Sequence, residues 1–232
     1  MRRSDPDTYP VPYGGPPALE APAAGVIEAL VPHVTEARWA RIQAVVAARS
    51  YAVQPVLEAF HDPHNASAVL RSCDAFGIQR VHVVPGVEEF LAARKVSRGT
   101  DRWLDLARHE DVESCLGGLK GAGYEVFVAS MEGEVHPAEL ARKPKVAILF
   151  GNERKGPSPA ARALADGTYA VPMRGFVESL NVSVAAAITL QAVMHGRGGD
   201  LSEDERRTLE ARYLMATVTG AGEILRERGV GA

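Results

Sequence analysis

The sequence has 232 residues, of which 46% are hydrophobic and 24% are charged, and both values are ordinary for a globular protein. Its formal net charge of −3 lacks the basic footprint that most nucleic-acid-binding domains carry. No apolar run reaches the roughly 18 residues of a membrane span. We therefore predict a cytoplasmic protein with no membrane partner. The two cysteines, Cys73 and Cys115, lie far apart in apolar surroundings, which indicates core residues in a reducing compartment rather than a disulfide.

The first 34 residues contain seven of the fifteen prolines, in stretches such as YPVPYGGPPALEAP. This spacing repeats neither the helical nor the strand period, so we predict a proline-rich, flexible arm over residues 1–34. From Thr35, a candidate N-cap, TEARWARIQAVVAARS has apolar residues at helical spacing and opens the main domain, residues 35–195. After the break GRGGDLS, a further amphipathic pattern predicts a C-terminal helical extension over residues 196–232.

The middle of the chain alternates between strand-like and helix-like segments. The strand-like runs are AVQPVLEAF, QRVHVV, YEVFVAS, KVAILFG and TYAVPM. The helix-like runs cover about 65–76, 111–122, 157–166 and 181–195. This alternation predicts an α/β fold, with a mostly parallel sheet and helices on both of its faces. VAILF is apolar throughout, as a central parallel strand should be.

The first unusual strand-end junction is HDPHNASAVLR, residues 61–71. Ligands of open α/β sheets bind beyond the carboxyl ends of the strands, so polar residues at this point are candidates for a site. Asn65 is suited to cap the following helix. Arg71 lies about two turns into that helix, and its long side chain reaches either solvent or the strand-end surface. His61 and His64 have no third ligand in place, so no metal site is predicted.

The second junction is LFGNERKGPSPAA, residues 149–161. Gly151 and Gly156 bracket four polar residues, and glycines permit a ligand to approach the backbone closely. The spacing departs from the GxxxxGK[ST] phosphate loop because Pro157 follows Gly156. A nucleoside triphosphate is therefore not the expected ligand.

The third junction is VPMRGFVESLNVSVAAAITL, residues 171–190. Ser179 or Asn181 could cap the helix that follows. The alanines at 185–187 indicate tight packing against a backbone or against a second subunit.

Together the three junctions resemble the motifs of the SpoU/TrmH branch of the SPOUT RNA methyltransferases. The resemblance rests on Asn-x5-Arg in NASAVLR, Gly-x-Glu-x-x-Gly in GNERKG, and SLNVS, and it extends over residues 35–195. Within the branch, the chain is most similar to the tRNA (guanosine-2′-O)-methyltransferases that act on the D-loop guanosine, Gm18. The resemblance implies a SPOUT-type sheet with a C-terminal trefoil knot. It also implies the cofactor S-adenosylmethionine, a tRNA substrate, and a homodimer whose site uses both subunits.

The resemblance also assigns roles to individual residues. Arg71 would lie beside the ribose, either as the base for the 2′-hydroxyl or, because guanidinium keeps its proton up to a pH of about 12, as a bidentate clamp on a phosphate. Glu153 would brace Arg71 or a loop amide. The implied catalytic residues are Arg71, Asn65, Glu153, Ser179 and Asn181. The implied cofactor-binding residues are Ala129, Gly151, Val171, Met173 and Leu180. The proposed RNA-binding residues are Arg41, Arg98, Arg102, Arg154, Lys155 and Arg174.

The sequence leaves other functions open. The same motifs serve enzymes that methylate ribosomal RNA or the tRNA anticodon loop. Residues 197–228 hold six basic and seven acidic residues, which gives tRNA little electrostatic support. A catalytically silent RNA-binding dimer is a further alternative. A dinucleotide-dependent oxidoreductase is disfavoured because no GxGxxG follows the first strand.

Overall fold

A computed structural model describes residues 19–84 and 100–231 of the chain. The described residues fall into two compact units: residues 51–197 form one, and residues on either side of that range, up to 50 and from 198, form the other. The predicted RNA-binding residue Arg98 lies outside the described residues. In the described ranges, no helix combines the length and the hydropathy needed to cross a bilayer.

Among the described residues of the 51–197 unit, six strands form one sheet. They are β1 Val53–Glu58, β2 Arg80–Val84, β3 Asp105–Arg108, β4 Glu125–Ala129, β5 Val146–Phe150 and β6 Gly167–Tyr169. Their order is β3-β2-β1-β5-β4-β6, and every neighbouring pair is parallel. The predicted parallel α/β sheet is confirmed. The four-residue edge strand β3 was not predicted, because its short pattern gives no clear strand signal.

Helices cover both faces of this sheet, as predicted. On one face, α3 (Pro63–Ala75) packs against α7 (Val182–Met194), and the short α5 (Pro137–Leu140) also packs on α7. On the other face, α4 (Val112–Gly121) packs against α6 (Pro159–Leu164). Both β1 and β5 are buried along their whole length, which identifies them as central strands.

The two cysteines lie in the two hydrophobic cores on opposite faces of the sheet. Cys73 on α3 is part of the core beneath α3 and α7, and Cys115 on α4 is part of the core beneath α4 and α6. Both are free thiols and fully buried, so their prediction as core residues is confirmed.

The start of α3 differs from its prediction. Asp62, not Asn65, is the N-cap, and its carboxylate accepts a hydrogen bond from the His64 N–H at 2.8 Å. Pro63 occupies the first helical position, which suits its fixed φ and its missing N–H. Asn65 therefore lies inside the first turn, where its amide is free to serve another purpose.

A buried polar cluster lies between the sheet and α4. His82 on β2 is hydrogen-bonded through Nε2 to the Gln54 carbonyl oxygen and through Nδ1 to Nε2 of His109, at 2.8 Å. The Gln54 amide donates to the Tyr124 hydroxyl at 2.6 Å. Burial, followed by the charges of His109 and Arg80, holds the pKa of His82 well below its usual range, so that this imidazole is neutral at neutral pH.

The second unit contains four helices among its described residues. They are α1 Ala23–Leu30, α2 Glu36–Ala47, α8 Glu203–Thr217 and α9 Ala221–Glu227, with a 3-10 turn at Val31–His33. Helix α1 packs on α8 and α9, and α2 packs on α8. The Thr35 cap is confirmed, since its hydroxyl accepts from the Arg38 N–H at 3.2 Å.

Helix α1 lies inside the segment predicted as a flexible arm. Its residues Val26, Ala29 and Leu30 follow helical spacing and are buried, although the surrounding prolines obscure this short pattern. Helix α2 also groups with the C-terminal helices rather than with the sheet, so the sheet-containing unit begins at Tyr51 and not at the predicted residue 35.

Candidate active site

The candidate site forms where the loops after β1 and β5 begin side by side. The two strands pair in parallel register, with Leu57 opposite Phe150, so that their carboxyl ends meet at one edge of the sheet. Ala59, just beyond β1, has a φ of 51°, the left-handed conformation that non-glycine residues seldom adopt. This adjacency brings the first and second motif segments together.

Glu153 connects these two loops. One carboxylate oxygen, Oε2, accepts the His61 N–H at 3.0 Å, and Oε1 accepts the Asp62 N–H at 3.1 Å. Burial by itself would raise the pKa of Glu153, but hydrogen bonds from the His61 N–H, the Asn65 amide and the N–H groups of Glu153 itself and Asp62 outweigh it and lower that pKa. Glu153 is therefore a carboxylate that holds the β1 loop by its backbone.

Asn65 extends the connection to the third motif segment. Its Nδ2 donates to Oε1 of Glu153 at 3.1 Å, and its Oδ1 accepts from Nδ2 of Asn181 at 3.0 Å. Asn181 is the N-cap of α7, as predicted, because its Oδ1 accepts the Ser183 N–H at 2.8 Å. Three side chains from three separate segments thus form one hydrogen-bonded chain.

Asn152 was not predicted as a site residue. Its Nδ2 donates to the carbonyl oxygen of Ala59 at 2.7 Å, and its Oδ1 accepts the Arg154 and Lys155 N–H groups at 2.9 and 3.1 Å. The side chain therefore holds the left-handed residue after β1 and shapes the turn that presents Glu153. An Asn followed by a polar turn and a glycine is a sequence signal for this local bonding.

Gly151 lies where the backbone folds back on itself after β5. A Cβ atom at this position would be 2.2 Å from the Pro157 nitrogen, so any side chain forces the turn 151–157 to move. We expect Gly151→Ala to lower the stability by about 1–3 kcal/mol, as overpacking does, and to reduce binding at the strand ends.

Thermal unfolding of Gly151→Ala and of the matched variant Gly117→Ala measures this effect. A Cβ at Gly117, in α4, meets no atom within 4 Å, so Gly117→Ala is expected to be neutral or stabilising. Equal midpoints for the two variants would contradict the predicted collision.

Arg71 and Ser179 stand apart from this hydrogen-bonded chain. Both are exposed, and neither side chain has a hydrogen bond or an ion pair to any described residue. Of the two braces predicted for Glu153, the loop amide is the one observed, and Arg71 is not held by it. The Arg71 guanidinium is therefore available to a ligand.

The residues assigned to the cofactor lie at the ends of three adjacent strands. Ala129 ends β4, Gly151 follows β5, and Val171 lies two residues after β6. Because β4 pairs with both β5 and β6, these positions lie side by side. Ala129, Val171 and Leu180 are half-buried, whereas Met173 is more exposed. Apolar side chains beside backbone groups at strand ends suit a nucleoside with a short charged tail.

A segment of backbone crosses the end of β6 next to these positions. The Ser130 N–H donates to the Tyr169 carbonyl at 3.0 Å, the Val135 N–H to Thr168 at 3.1 Å, and the Ala170 N–H to Val135 at 3.1 Å. A Cβ at Gly133 would lie 2.0 Å from the Tyr169 carbonyl carbon, which shows how closely the two backbones approach. The backbone of residues 130–135 is therefore fitted closely against the end of β6.

Basic and apolar side chains are exposed around the site. Arg154 and Lys155 are exposed in the 151–157 turn, and Arg174 in the loop before α7. Of the other predicted RNA-binding residues, Arg102 is exposed beside the Trp103 ring just before β3, at the amino end of that strand, and Arg41 is exposed on α2, in the other unit. The large exposed apolar side chains of residues 171–188 are Met173, Phe176, Val177, Val184 and Ile188.

Comparisons of the sequence and of the structure with known proteins point to the same family. The SpoU rRNA methylase family model matches residues 53–191. The chain is 40% identical over 157 residues to the tRNA (guanosine(18)-2′-O)-methyltransferase of Thermus thermophilus, covering 67% of this chain and 81% of that one. It is 33% identical over 161 residues to the enzyme of that name from Escherichia coli K12, covering 69% and 70%. The A. aeolicus TrmH/SpoU tRNA modifying enzyme has a similar structure, with a TM-score of 0.70, 26% identity and coverage of 79% and 98%.

Proposed function

Because the chain belongs to the SpoU rRNA methylase family, we propose that it is an S-adenosylmethionine-dependent methyltransferase acting on the ribose 2′-hydroxyl of guanosine 18 in tRNA. The observation that carries this proposal is the row of hydrogen-bonded side chains Asn181, Asn65 and Glu153. It joins three motif segments that are 116 and 88 residues apart, at the edge of the sheet where ligands of parallel sheets bind.

The cofactor would be held at the ends of β4, β5 and β6 by Ala129, Gly151, Val171, Met173 and Leu180. When bound, it would supply a sulfonium methyl group to the attacking ribose oxygen, and the thioether sulfur would leave with the electron pair of the broken carbon–sulfur bond. The tight turn at Gly151 fixes the backbone on one side of this position, and the loop across β6 fixes it on the other. The half-buried apolar side chains reduce the access of water to the reacting atoms.

The remaining site residues would orient the RNA. Arg71 has five N–H donors and no partner among the described residues, so it suits a bidentate grip on the phosphate beside the target ribose. Asn65 keeps its orientation because Glu153 and Asn181 use both ends of its amide. Ser179, exposed two residues before Asn181, would contact the ribose or the cofactor. The proton of the 2′-hydroxyl passes to water in the clamp mechanism. In the base mechanism the Arg71 guanidinium first gives a proton to solvent, and its neutral form then takes the proton of the hydroxyl.

The RNA would rest on basic side chains around this edge. Arg154 and Lys155 protrude from the turn that presents Glu153, and Arg174 lies in the loop that leads to Asn181. Since phosphate contacts supply most of the affinity for RNA, these residues offset part of the net negative charge. Arg41, Arg98 and Arg102 are proposed to contact the RNA as well.

We also propose that the protein is a homodimer. Val184 and Ile188 are one helical turn apart on α7 and are 46% and 42% exposed, while Phe176, in the loop before α7, is fully exposed. An apolar surface of this kind marks an interaction site in water. A sedimentation mass equal to a single 24.8 kDa chain would contradict the dimer.

The close fit between residues 130–135 and the end of β6 supports the trefoil knot that the resemblance implies. Segment 171–194 would pass beneath that loop and emerge as α7. An experimental chain trace in which this segment runs outside the loop would contradict the knot.

The test is methyl transfer from labelled S-adenosylmethionine to tRNA transcripts that carry no modification. We expect one 2′-O-methyl group per transcript, mapped to guanosine 18, and none in a transcript whose guanosine 18 has a 2′-deoxyribose. Labelling confined to ribosomal RNA or to the anticodon loop would contradict guanosine 18 as the target and keep the enzyme class. Cofactor binding without transfer to any RNA would favour the catalytically silent RNA-binding protein.

A further inference from the structure

The buried polar cluster between the sheet and α4 contains three potential metal ligands that have no role in the proposed methyl transfer. They are the imidazoles of His82 and His109 and the thiol of Cys115, and their ligand atoms all lie within 4.8 Å of one another. His82 is on β2, His109 follows β3, and Cys115 is on α4. We propose that His82, His109 and Cys115 form a zinc site between the sheet and α4, with a solvent molecule as the fourth ligand.

The backbone already places the three ligands. The His109 N–H continues the β2–β3 ladder by donating to the Val83 carbonyl at 2.9 Å, which brings His109 beside His82. The Asp111 cap fixes the first turn of α4 by accepting the Ser114 N–H at 2.7 Å, and Cys115 is the next residue. Three ligands on three ordered elements lose little conformational freedom when they bind an ion.

The distances require only a small adjustment. Nδ1 of His82 and Nε2 of His109 are 2.8 Å apart, whereas two nitrogens on a tetrahedral zinc ion are about 3.3 Å apart. The largest separation within the cluster must shrink by at most about 1.3 Å to reach the nitrogen–sulfur spacing of such a site. Rotation of the Cys115 and His109 side chains provides shifts of this size.

The surroundings of His82 also match a metal ligand. A histidine that binds a metal through one nitrogen usually donates its other N–H to an oxygen, which fixes the ring. Nε2 of His82 has this partner in the Gln54 carbonyl oxygen, and the Tyr124 hydroxyl holds the Gln54 amide in turn. Burial and then the negative charges of Glu58 and Asp111 raise the pKa of the Cys115 thiol, and the same two charges favour a cation beside the sulfur.

Binding of the ion requires two proton movements. The Nε2 proton of His109 moves to Nδ1, so that both imidazoles stay neutral and each offers a lone pair to the ion. The Cys115 thiol gives its proton to solvent and binds as the thiolate. His109 is only partly buried, so an ion can reach the cluster from its side.

The test uses the full chain, stripped with a chelator and then loaded with Zn²⁺ or with Co²⁺ as a spectroscopic probe. We expect one Zn²⁺ per chain after gel filtration, a raised thermal midpoint, and a thiolate-to-cobalt charge-transfer band. The band should disappear in Cys115→Ser and persist in Cys73→Ala, the matched variant of the other buried cysteine. His109→Asn, at a more exposed position, should lose Zn²⁺ retention and tests the site should Cys115→Ser fail to fold.

Two results would overturn the proposal. One is a stripped wild-type protein that retains no Zn²⁺, which would leave His82 and His109 as a hydrogen-bonded pair. The other is retention that Cys115→Ser and His109→Asn both keep, which would show binding elsewhere on the surface. Neither readout depends on methyl transfer, so failure of the zinc site and failure of the proposed enzyme are distinguishable.

Discussion

Arg71→Ala is expected to reduce methyl transfer to tRNA by at least about 100-fold, because the loss of a positioning group misplaces the reacting hydroxyl. The side chain is exposed and contacts no described residue through a hydrogen bond or an ion pair. The variant should therefore keep the thermal midpoint and the cofactor affinity of the wild type. Turnover measured with saturating cofactor, beside both binding constants, checks this prediction.

Arg142→Ala is the matched control for this experiment. Arg142 is also exposed, but it precedes β5 and so lies at the amino ends of the strands, away from the candidate site. Its replacement should leave turnover unchanged. Equal rates for the two variants, or full turnover in Arg71→Ala, would remove Arg71 from the mechanism.

The two roles proposed for Arg71, a phosphate clamp and a base, are distinguished by a change in the RNA rather than in the protein. A transcript with an uncharged methylphosphonate beside the target ribose lacks the group that a clamp would hold. If Arg71 binds that phosphate, the modified transcript and Arg71→Ala each slow the reaction, and together they slow it no further. Additive losses would instead place Arg71 at the ribose hydroxyl.

The sequence predicts that the three motif segments meet at one edge of the sheet, because their positions follow from the strand order. Asn65, Glu153 and Asn181 each follow a strand of one parallel sheet, and the carboxyl ends of such strands share an edge. What the pattern does not reveal is which groups bond across that edge. The bond from the His61 N–H to Glu153 spans 92 residues, and no local signal distinguishes it from a bond between Glu153 and Arg71.

The missed elements depend on tertiary contacts. Helix α1 is eight residues long, which is marginal for an isolated helix in water, and it packs on α8 and α9 about 180 residues further along the chain. Among the described residues, the edge strand β3 pairs with one other strand, β2. The cap of α3 is ambiguous in the sequence because Asp62 and Asn65, three residues apart, have equally suitable side chains. In each case a local propensity was too weak or too evenly shared to decide the structure.

Glu153→Gln should lower both stability and turnover, although the two side chains have nearly the same shape. The carboxylate accepts three hydrogen bonds, one at Oε2 and two at Oε1. A glutamine amide oxygen can replace Oε1, but its NH₂ group would then face the His61 N–H, donor against donor. Leaving that N–H without an acceptor costs about 1–3 kcal/mol in the free energy of unfolding. Asn65 would lose its fixed orientation, and turnover should fall by up to about 100-fold.

The pH dependence of stability identifies the carboxylate as the cause. The pKa of Glu153 is lowered in the folded protein, so its contribution is present above the pKa of the unfolded chain, about 4.3, and is lost as the pH falls through the folded value. The difference in unfolding free energy between wild type and Glu153→Gln should therefore be constant near neutral pH and shrink in acid. Glu227→Gln, at an exposed carboxylate on α9 with no side-chain partner among the described residues, is the matched control and should leave the unfolding free energy at neutral pH unchanged. A difference that persists unchanged in acid would mean that the shape of the loop, and not the charge of Glu153, holds the two strand ends together.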